Sequence, residues 1–296
     1  MTSDLNGSAL TDAVVASFDS GADPRLRMVM AALVRHLHAF AREVELTETD
    51  YFTGIDFLTR AGQISSDTRQ EFVLLADVLG LSTVTVDLGN RLPDGATAAT
   101  VFGPFYVEGA PEIQNGGDMS NGAPGQPCLV RGRVLAVDGT PIANALVEVW
   151  QSDEDGFYDV QKDVDGPQNR GHLRTDDNGH FWFWAVRPVA YPIPDDGPVG
   201  ELLRAAGRGP MRPAHIHFMV TAPGYLRLIT HIFARGDAYL DKDPVFGVKS
   251  SLIATFTEHL PGSAPDGRLL DRTYTTLEYD LVLAPEPDSR RKDTAS

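Results

Sequence analysis

"RPAHIHFMV", residues 212–220, sets two histidines one residue apart in a run that reads as a β-strand. Successive strand side chains point to opposite faces, so His215 and His217 share one face and Ile216 takes the other. Each imidazole brings a donor and an acceptor, and two side by side are costly in a core unless something satisfies them. A metal ion would, which raises the question of where further ligands come from.

Outward from this strand, short runs with the same character recur between turn signals: "CLVRGRVLAV" (128–137) followed by "DGTP", then "NALVEVWQ" (144–151), "HFWFWAV" (180–186), "LRLITHIF" (226–233) and "RTYTTLEYDLVL" (272–283). Short strands with Gly- and Pro-rich connections predict a β-sandwich. Residues 1 to about 95 carry helical periodicity instead. Asp23-Pro24 forms an N-cap and first-turn pair ahead of Leu26, Met30, Leu33, Leu37, Phe40 and Val44, and Thr47 to Asp50 resembles a capping box. Asp67 is the expected cap of a third helix carrying Phe72, Leu75 and Val78, while "STVTVDL" (82–88) is ambiguous between strand and helix. The fold class is α+β. The stretch 108–127, rich in Gly, Pro and Asn, reads as a loop, and the tail from Glu286 as disordered.

The composition is that of a soluble globular protein, with 25 basic against 41 acidic residues and a net charge of −16. No basic stripe is present, which argues against nucleic acid and anionic membranes as partners. No basic stretch followed by an apolar run opens the chain, and nothing approaches eighteen consecutive apolar residues, so neither a secretory signal nor a membrane span is expected. Cys128 is the only cysteine, which excludes an internal disulfide and a multi-cysteine metal site and fits a reducing cytoplasm. Metal ligands must then be His, Tyr, Asp or Glu.

An H-x-H pair on a strand also occurs in cupins, but "HIHFMVTAPG" lacks the acid that would follow there. The other candidates are tyrosines at strand ends: Tyr158 in "SDEDGFYDV" and Tyr191, between prolines, in "RPVAYPIPDDGP". A single loop tyrosine is ordinarily a packed ring with a hydrogen-bonded hydroxyl. Two phenolates with two neutral imidazoles would instead present a charge of −2, suited to a hard trivalent cation.

"DGFYD", "RPVAYPIP" and "RPAHIHF", in this order, resemble the ferric-iron motifs of the intradiol ring-cleaving dioxygenases, and "VFGPFYVEGAP" (101–111) and "VRGRVLAVDGTPIANALVEVWQSD" (130–153) are similar to the same family. The resemblance covers nearly the whole chain. It implies a helical dimerisation and linker segment over residues 1–100, with 82–88 helical, a mostly antiparallel catalytic β-sandwich over 101–284, and a tail over 285–296. It implies one Fe(III) per subunit on Tyr158, Tyr191, His215 and His217, with Tyr191 leaving the iron to act as internal base and Arg212 stabilising negative charge on the ring. A homodimer, with a lipid between its helices, is implied as well.

Within the family the marks are similar to those of members that open hydroxyquinol (1,2,4-trihydroxybenzene) with O2. The implied substrate-binding residues are Leu74, Asp77, Val101, Phe102, Gly103, Pro104, Phe105, Ile193, Pro194, Arg212 and Val245, with Asp77 receiving the third hydroxyl. His231 stands where many catechol enzymes of the family have glutamine, in reach of the iron surroundings. Two alternatives stay open: a catechol or chlorocatechol enzyme, and a transthyretin-like sandwich that binds without chemistry.

Overall fold

The computed structural model describes residues 7–66, 69–90 and 92–287; the expected cap Asp67 and the tail beyond Pro287 lie outside the described residues. The chain divides into two compact units, Met1–Gln63 and Ile64–Ser296. That division leaves the helices after residue 63 in the same unit as the sheets.

The first unit holds α1 (Gly7–Ala16), α2 (Pro24–Glu43) and α3 (Glu48–Ile64). Asp23 caps α2, its Oδ1 accepting from the backbone N–H of Arg25 at 2.8 Å and of Leu26 at 3.3 Å. Thr47 and Asp50 cap α3 reciprocally: Thr47 Oγ1 accepts from Asp50 N at 3.2 Å and Asp50 Oδ2 from Thr47 N at 3.1 Å. Leu26, Leu33, Leu37 and Phe40 of α2 and Phe52, Ile55 and Leu58 of α3 are exposed, so both helices keep an apolar face.

In the second unit, α4 (Glu71–Val78) and α5 (Leu81–Gly89) precede the strands. The ambiguous 82–88 segment is helical. Its β-branched residues are accommodated because Thr85 Oγ1 bonds back to Leu81 O at 2.8 Å and Thr83 Oγ1 reaches Val245 O at 3.1 Å. A further helix, α6 (Pro198–Ala205), has no clear sequence signal beyond Pro198 at its start. Its first turn is capped from afar, by Glu71 Oε1 accepting from Val199 N at 3.0 Å.

One sheet centres on β1 (Pro127–Ala136), with β4 (His180–Val186) antiparallel on one edge. On the other edge β13 (Tyr274–Glu278) and then β14 (Leu281–Leu283) run parallel to β1, and β10 (Thr257–His259) flanks β13. The run 272–283 is therefore two strands. The break falls where the Tyr279 carbonyl presses on Gly132, leaving no space for a side chain there.

The second sheet has the order β3 (Arg170–Arg174), β2 (Leu146–Trp150), β7 (His215–Thr221), β8 (Leu228–Ala234) and β9 (Ile253–Ala254). Two ribbons complete the unit, β5 (Tyr191–Pro192) with β6 (Met211–Arg212), and β11 (Gly262–Ser263) with β12 (Leu269–Leu270). The "DGTP" turn folds the end of β1 back on residues 140–142, Ala136 N donating to Thr140 O at 2.8 Å and Ile142 N to Val134 O at 2.9 Å, but β2 itself belongs to the other sheet, so the chain crosses between layers after the turn.

The layers meet through Val130, Phe181 and Phe183 of one sheet and Val147, Ile216, Phe218 and Val220 of the other. Phe218 lies 6.1 Å from Phe181 and 6.4 Å from Phe183 between ring centres. Among the described residues no single helix is long and apolar enough to cross a membrane.

Cys128 lies in this core, and burial pushes its thiol up to about 12. Iodoacetamide at pH 8 is therefore expected to label it only through unfolding. Phe218→Ala should cost about 3–5 kcal/mol, raising the labelling rate by on the order of 10²–10⁴ if labelling follows global opening. Equal rates in the two proteins would show that Cys128 is reached by local motion instead.

Candidate metal centre

β7 pairs its outward face with both neighbours: His217 stands opposite Trp150 of β2 and His231 of β8, and His215 opposite Phe233. The tyrosines arrive from strand ends. Tyr158 follows β2 by a loop, and Tyr191 follows β4 and lies in the β5–β6 ribbon opposite Arg212. Tyr158, Tyr191, His215, His217, His231 and Arg212 are all buried.

Four atoms form a closed ring. Tyr158 Oη is 3.1 Å from Tyr191 Oη, Tyr191 Oη is 3.3 Å from His215 Nε2, His215 Nε2 is 3.1 Å from His217 Nε2, and His217 Nε2 is 2.8 Å from Tyr158 Oη. Four ligands about 2 Å from a common cation keep comparable separations among themselves. His215 Nδ1 lies 2.7 Å from the Pro213 carbonyl, which holds the ring proton on that side and turns the Nε2 lone pair inward. The residues fit a hard cation, by spacing and by donor type.

His231 also approaches, its ligand atom within 4.8 Å of those of His215 and His217. Its Nδ1, however, lies 3.3 Å from Arg212 Nη2, so a guanidinium occupies that side of its ring. Arg212 Nη1 is 3.3 Å from His215 Nε2, and the other edge of the guanidinium meets Asp243, Nε to Oδ1 at 3.1 Å and Nη2 to Oδ2 at 3.4 Å.

Burial keeps every donor neutral. It pushes His215 down to about 3, with Arg212 adding to the effect, and holds His217 and His231 well below the ordinary imidazole value. Burial likewise raises the Tyr191 phenol and holds Tyr158 well above the ordinary value. Deprotonation of those phenols requires a cation in the ring. Arg212 stays charged: burial works against it, and the Asp243 carboxylate and the two phenols outweigh that.

The surrounding residues sort as follows. Phe105 stacks on Tyr158 at 4.4 Å, and Gly103 packs against His217, where a Cβ would stand 3.2 Å from Cε1. Val101, Ile193, Leu74 and Val245 are buried, and Pro194 is half-buried. Burial raises the Asp77 carboxyl; Ser82 hydrogen-bonds it, and it lies in the electrostatic field of Arg212 and Asp243. Phe102 and Pro104 are exposed, the Phe102 ring lying 4.9 Å from Tyr106 and 5.8 Å from Trp150 rather than against the donor ring.

Three contributors carry no sequence signal. Trp150 stacks on His217 at 4.7 Å, Asp243 holds Arg212, and a buried Arg170–Asp159 pair locks the residue after Tyr158 while Arg170 Nη1 donates to Phe105 O at 3.0 Å. Each depends on cross-strand register or a long loop return, which local pattern does not encode.

The chain matches two family models, "Dioxygenase" over residues 101–285 and "Catechol dioxygenase N terminus" over residues 23–97. It is 54% identical to the hydroxyquinol 1,2-dioxygenase of Nocardioides simplex over 93% of this chain and 94% of that one. It is also 54% identical to the 6-chlorohydroxyquinol 1,2-dioxygenase of Cupriavidus pinatubonensis, over 93% of this chain and 96% of that one. The solved structure of hydroxyquinol 1,2-dioxygenase from Pseudomonas putida DLL-E4 superposes with a TM-score of 0.89 at 44% identity, covering 94% of this chain and 98% of that one. These matches span helices and sandwich together, which sets aside a binding module without chemistry. By family model, by identity and by fold, the chain belongs to the intradiol ring-cleaving dioxygenases.

Proposed function

We propose that this dioxygenase opens hydroxyquinol between its two vicinal hydroxylated carbons, incorporating O2 to give 3-hydroxy-cis,cis-muconate, the enol form of maleylacetate. The closed ring of Tyr158, Tyr191, His215 and His217 carries the reading, since two phenolates and two imidazoles offer hard, charge-donating ligands that suit iron(III). Iron(III) held there would supply a Lewis acid that favours ionisation of the diol and its reaction with O2.

The protein's own groups then divide the work. With a cation held in the ring and its phenol ionised, Tyr191 Oη would take one diol proton, and the short β5–β6 ribbon that carries it leaves it room to move. Tyr158 stays in place, backed by the Phe105 ring and by Gln161 Oε1, which accepts from its backbone N–H at 2.9 Å. Arg212, already charged and fixed, meets negative charge growing on the substrate ring at no cost in reorganisation. Leu74, Val101, Ile193 and Val245 exclude water, with Gly103, Phe105 and Pro194 completing the walls, while Phe102 and Pro104 are exposed and take no part in them. Asp77 receives the third hydroxyl, a role supported by its burial, which raises its carboxyl and makes a hydrogen-bonding partner there favourable. His231 braces the guanidinium from the far side.

The apolar faces of α2 and α3 support a homodimer, with a lipid as further cover, and the lone buried cysteine fits a cytoplasmic setting. Light scattering of the full chain at micromolar concentration should give twice the chain mass. A monomer would leave those faces unexplained.

The purified protein should be red-brown from tyrosinate-to-iron charge transfer, and anaerobic hydroxyquinol should shift the band. Tyr158→Phe should remove most of it. A protein that stays colourless after iron is supplied would sink this reading. Asp77→Ala should lower kcat/KM for hydroxyquinol relative to catechol by roughly 5- to 150-fold, the cost of one buried hydrogen bond; an unchanged ratio removes Asp77 from specificity.

A further inference from the structure

We propose that Asp243 is a positioning residue for the ring-opening reaction, aiming the Arg212 guanidinium and holding the loop that carries Val245; this rests on the dioxygenase reading above. Arg212 and Asp243 are both buried, and both carboxylate oxygens are committed. Oδ1 meets Arg212 Nε at 3.1 Å and Val245 N at 3.4 Å, while Oδ2 meets Arg212 Nη2 at 3.4 Å and Gly247 N at 2.9 Å. With Nε and Nη2 occupied in this way, Nη1 is the edge left to face His215 and the substrate side. A planar guanidinium gripped on one edge cannot rotate without breaking the grip.

The same carboxylate organises its own loop. Phe246 has φ of 56°, a left-handed conformation that a bulky residue adopts only when its surroundings impose it. The bonds from Asp243 to the backbone on both sides of Phe246 supply that constraint. Thr83 Oγ1 on the Val245 carbonyl and Arg208 Nη2 on the Pro244 carbonyl hold the loop from outside. At Gly247 a Cβ would stand 3.2 Å from both Arg212 Nη2 and Asp243 Oδ2, so the backbone closes over the ion pair where only glycine fits well. A buried ion pair is seldom retained for stability alone, since desolvation offsets its attraction. Orientation of Arg212 is what this pair provides.

The test is a double-mutant cycle in the iron-loaded protein, with two independent perturbations of the pair. Asp243→Asn should lower kcat for hydroxyquinol about tenfold or more, within the range for a misplaced charge-stabilising group, with KM and the anaerobic substrate affinity held within about threefold. Iron content and the resting colour should be unchanged, while the band of the anaerobic substrate complex moves, which a merely structural role would not cause. In an Arg212→Lys background the same substitution should change kcat by less than about twofold, because the group it acts through is gone. Gly247→Ala, which keeps the charge and crowds the pair, should repeat this pattern and serves if Asp243→Asn does not fold. Factors that multiply in the double variants, or an unchanged kcat, overturn the role of Asp243 while leaving a coloured, active enzyme. A colourless protein without turnover overturns the dioxygenase reading and this role with it.

Discussion

The rest of the centre depends on the two-residue period of one strand. In β7, Ile216, Phe218 and Val220 fill the space between the sheets, so His215 and His217 are forced onto the outer face. A slip of one residue would put both imidazoles into an apolar core and three large hydrophobics onto the site. The core therefore fixes the register, and the register fixes the donors. Antiparallel pairing then adds Trp150 and His231 beside His217 without any further local requirement.

What that outer face lacks is a second sheet, and loops and the β5–β6 ribbon cover it instead. Tyr158 and Tyr191 belong to this cover, and their hydroxyls complete the ring that β7 begins. A buried polar group without a partner costs on the order of 1–3 kcal/mol, and four gathered together would be prohibitive if they did not satisfy one another or a cation. Neutral imidazoles and protonated phenols at these separations are the low-charge form of the site. Its capacity for a hard cation lies in the two protons the phenols can release.

Much of this was legible from residues alone. The strand alternation of 215–220, the caps at Asp23 and Thr47 and the strand at 180–186 need only local chemistry, and they stand as read. The helix at 82–88 came through resemblance; its threonines favour a strand until their hydroxyls are seen bonded within the helix and across to Val245. The assignment of β1 and β2 to different sheets, the division of 272–283 and the short helix α6 were not legible. Each is decided by partners distant in sequence: Gly132 against Tyr279, and Glu71 capping Val199. Asp243 is the extreme case, an acid in an ordinary-looking loop whose meaning appears only once Arg212 is seen beside it.

The two tyrosines differ in how firmly they are held, and the difference bears on the proposed mechanism. Around Tyr158 the backbone is bonded to Gln161, the next residue is locked to Arg170, and Arg170 also binds the carbonyl of Phe105, whose ring covers the phenol. Moving Tyr158 would disturb all of these together. Tyr191 is held by a ribbon of two residue pairs and stands opposite Arg212, whose charge favours the phenolate against burial. A group that must take a proton and later give it back needs a light anchor and a nearby positive charge, and of the two phenols only Tyr191 has both. In the proposed mechanism the same guanidinium serves both the tyrosine and the substrate, and it is gripped by a carboxylate that touches neither donor histidine.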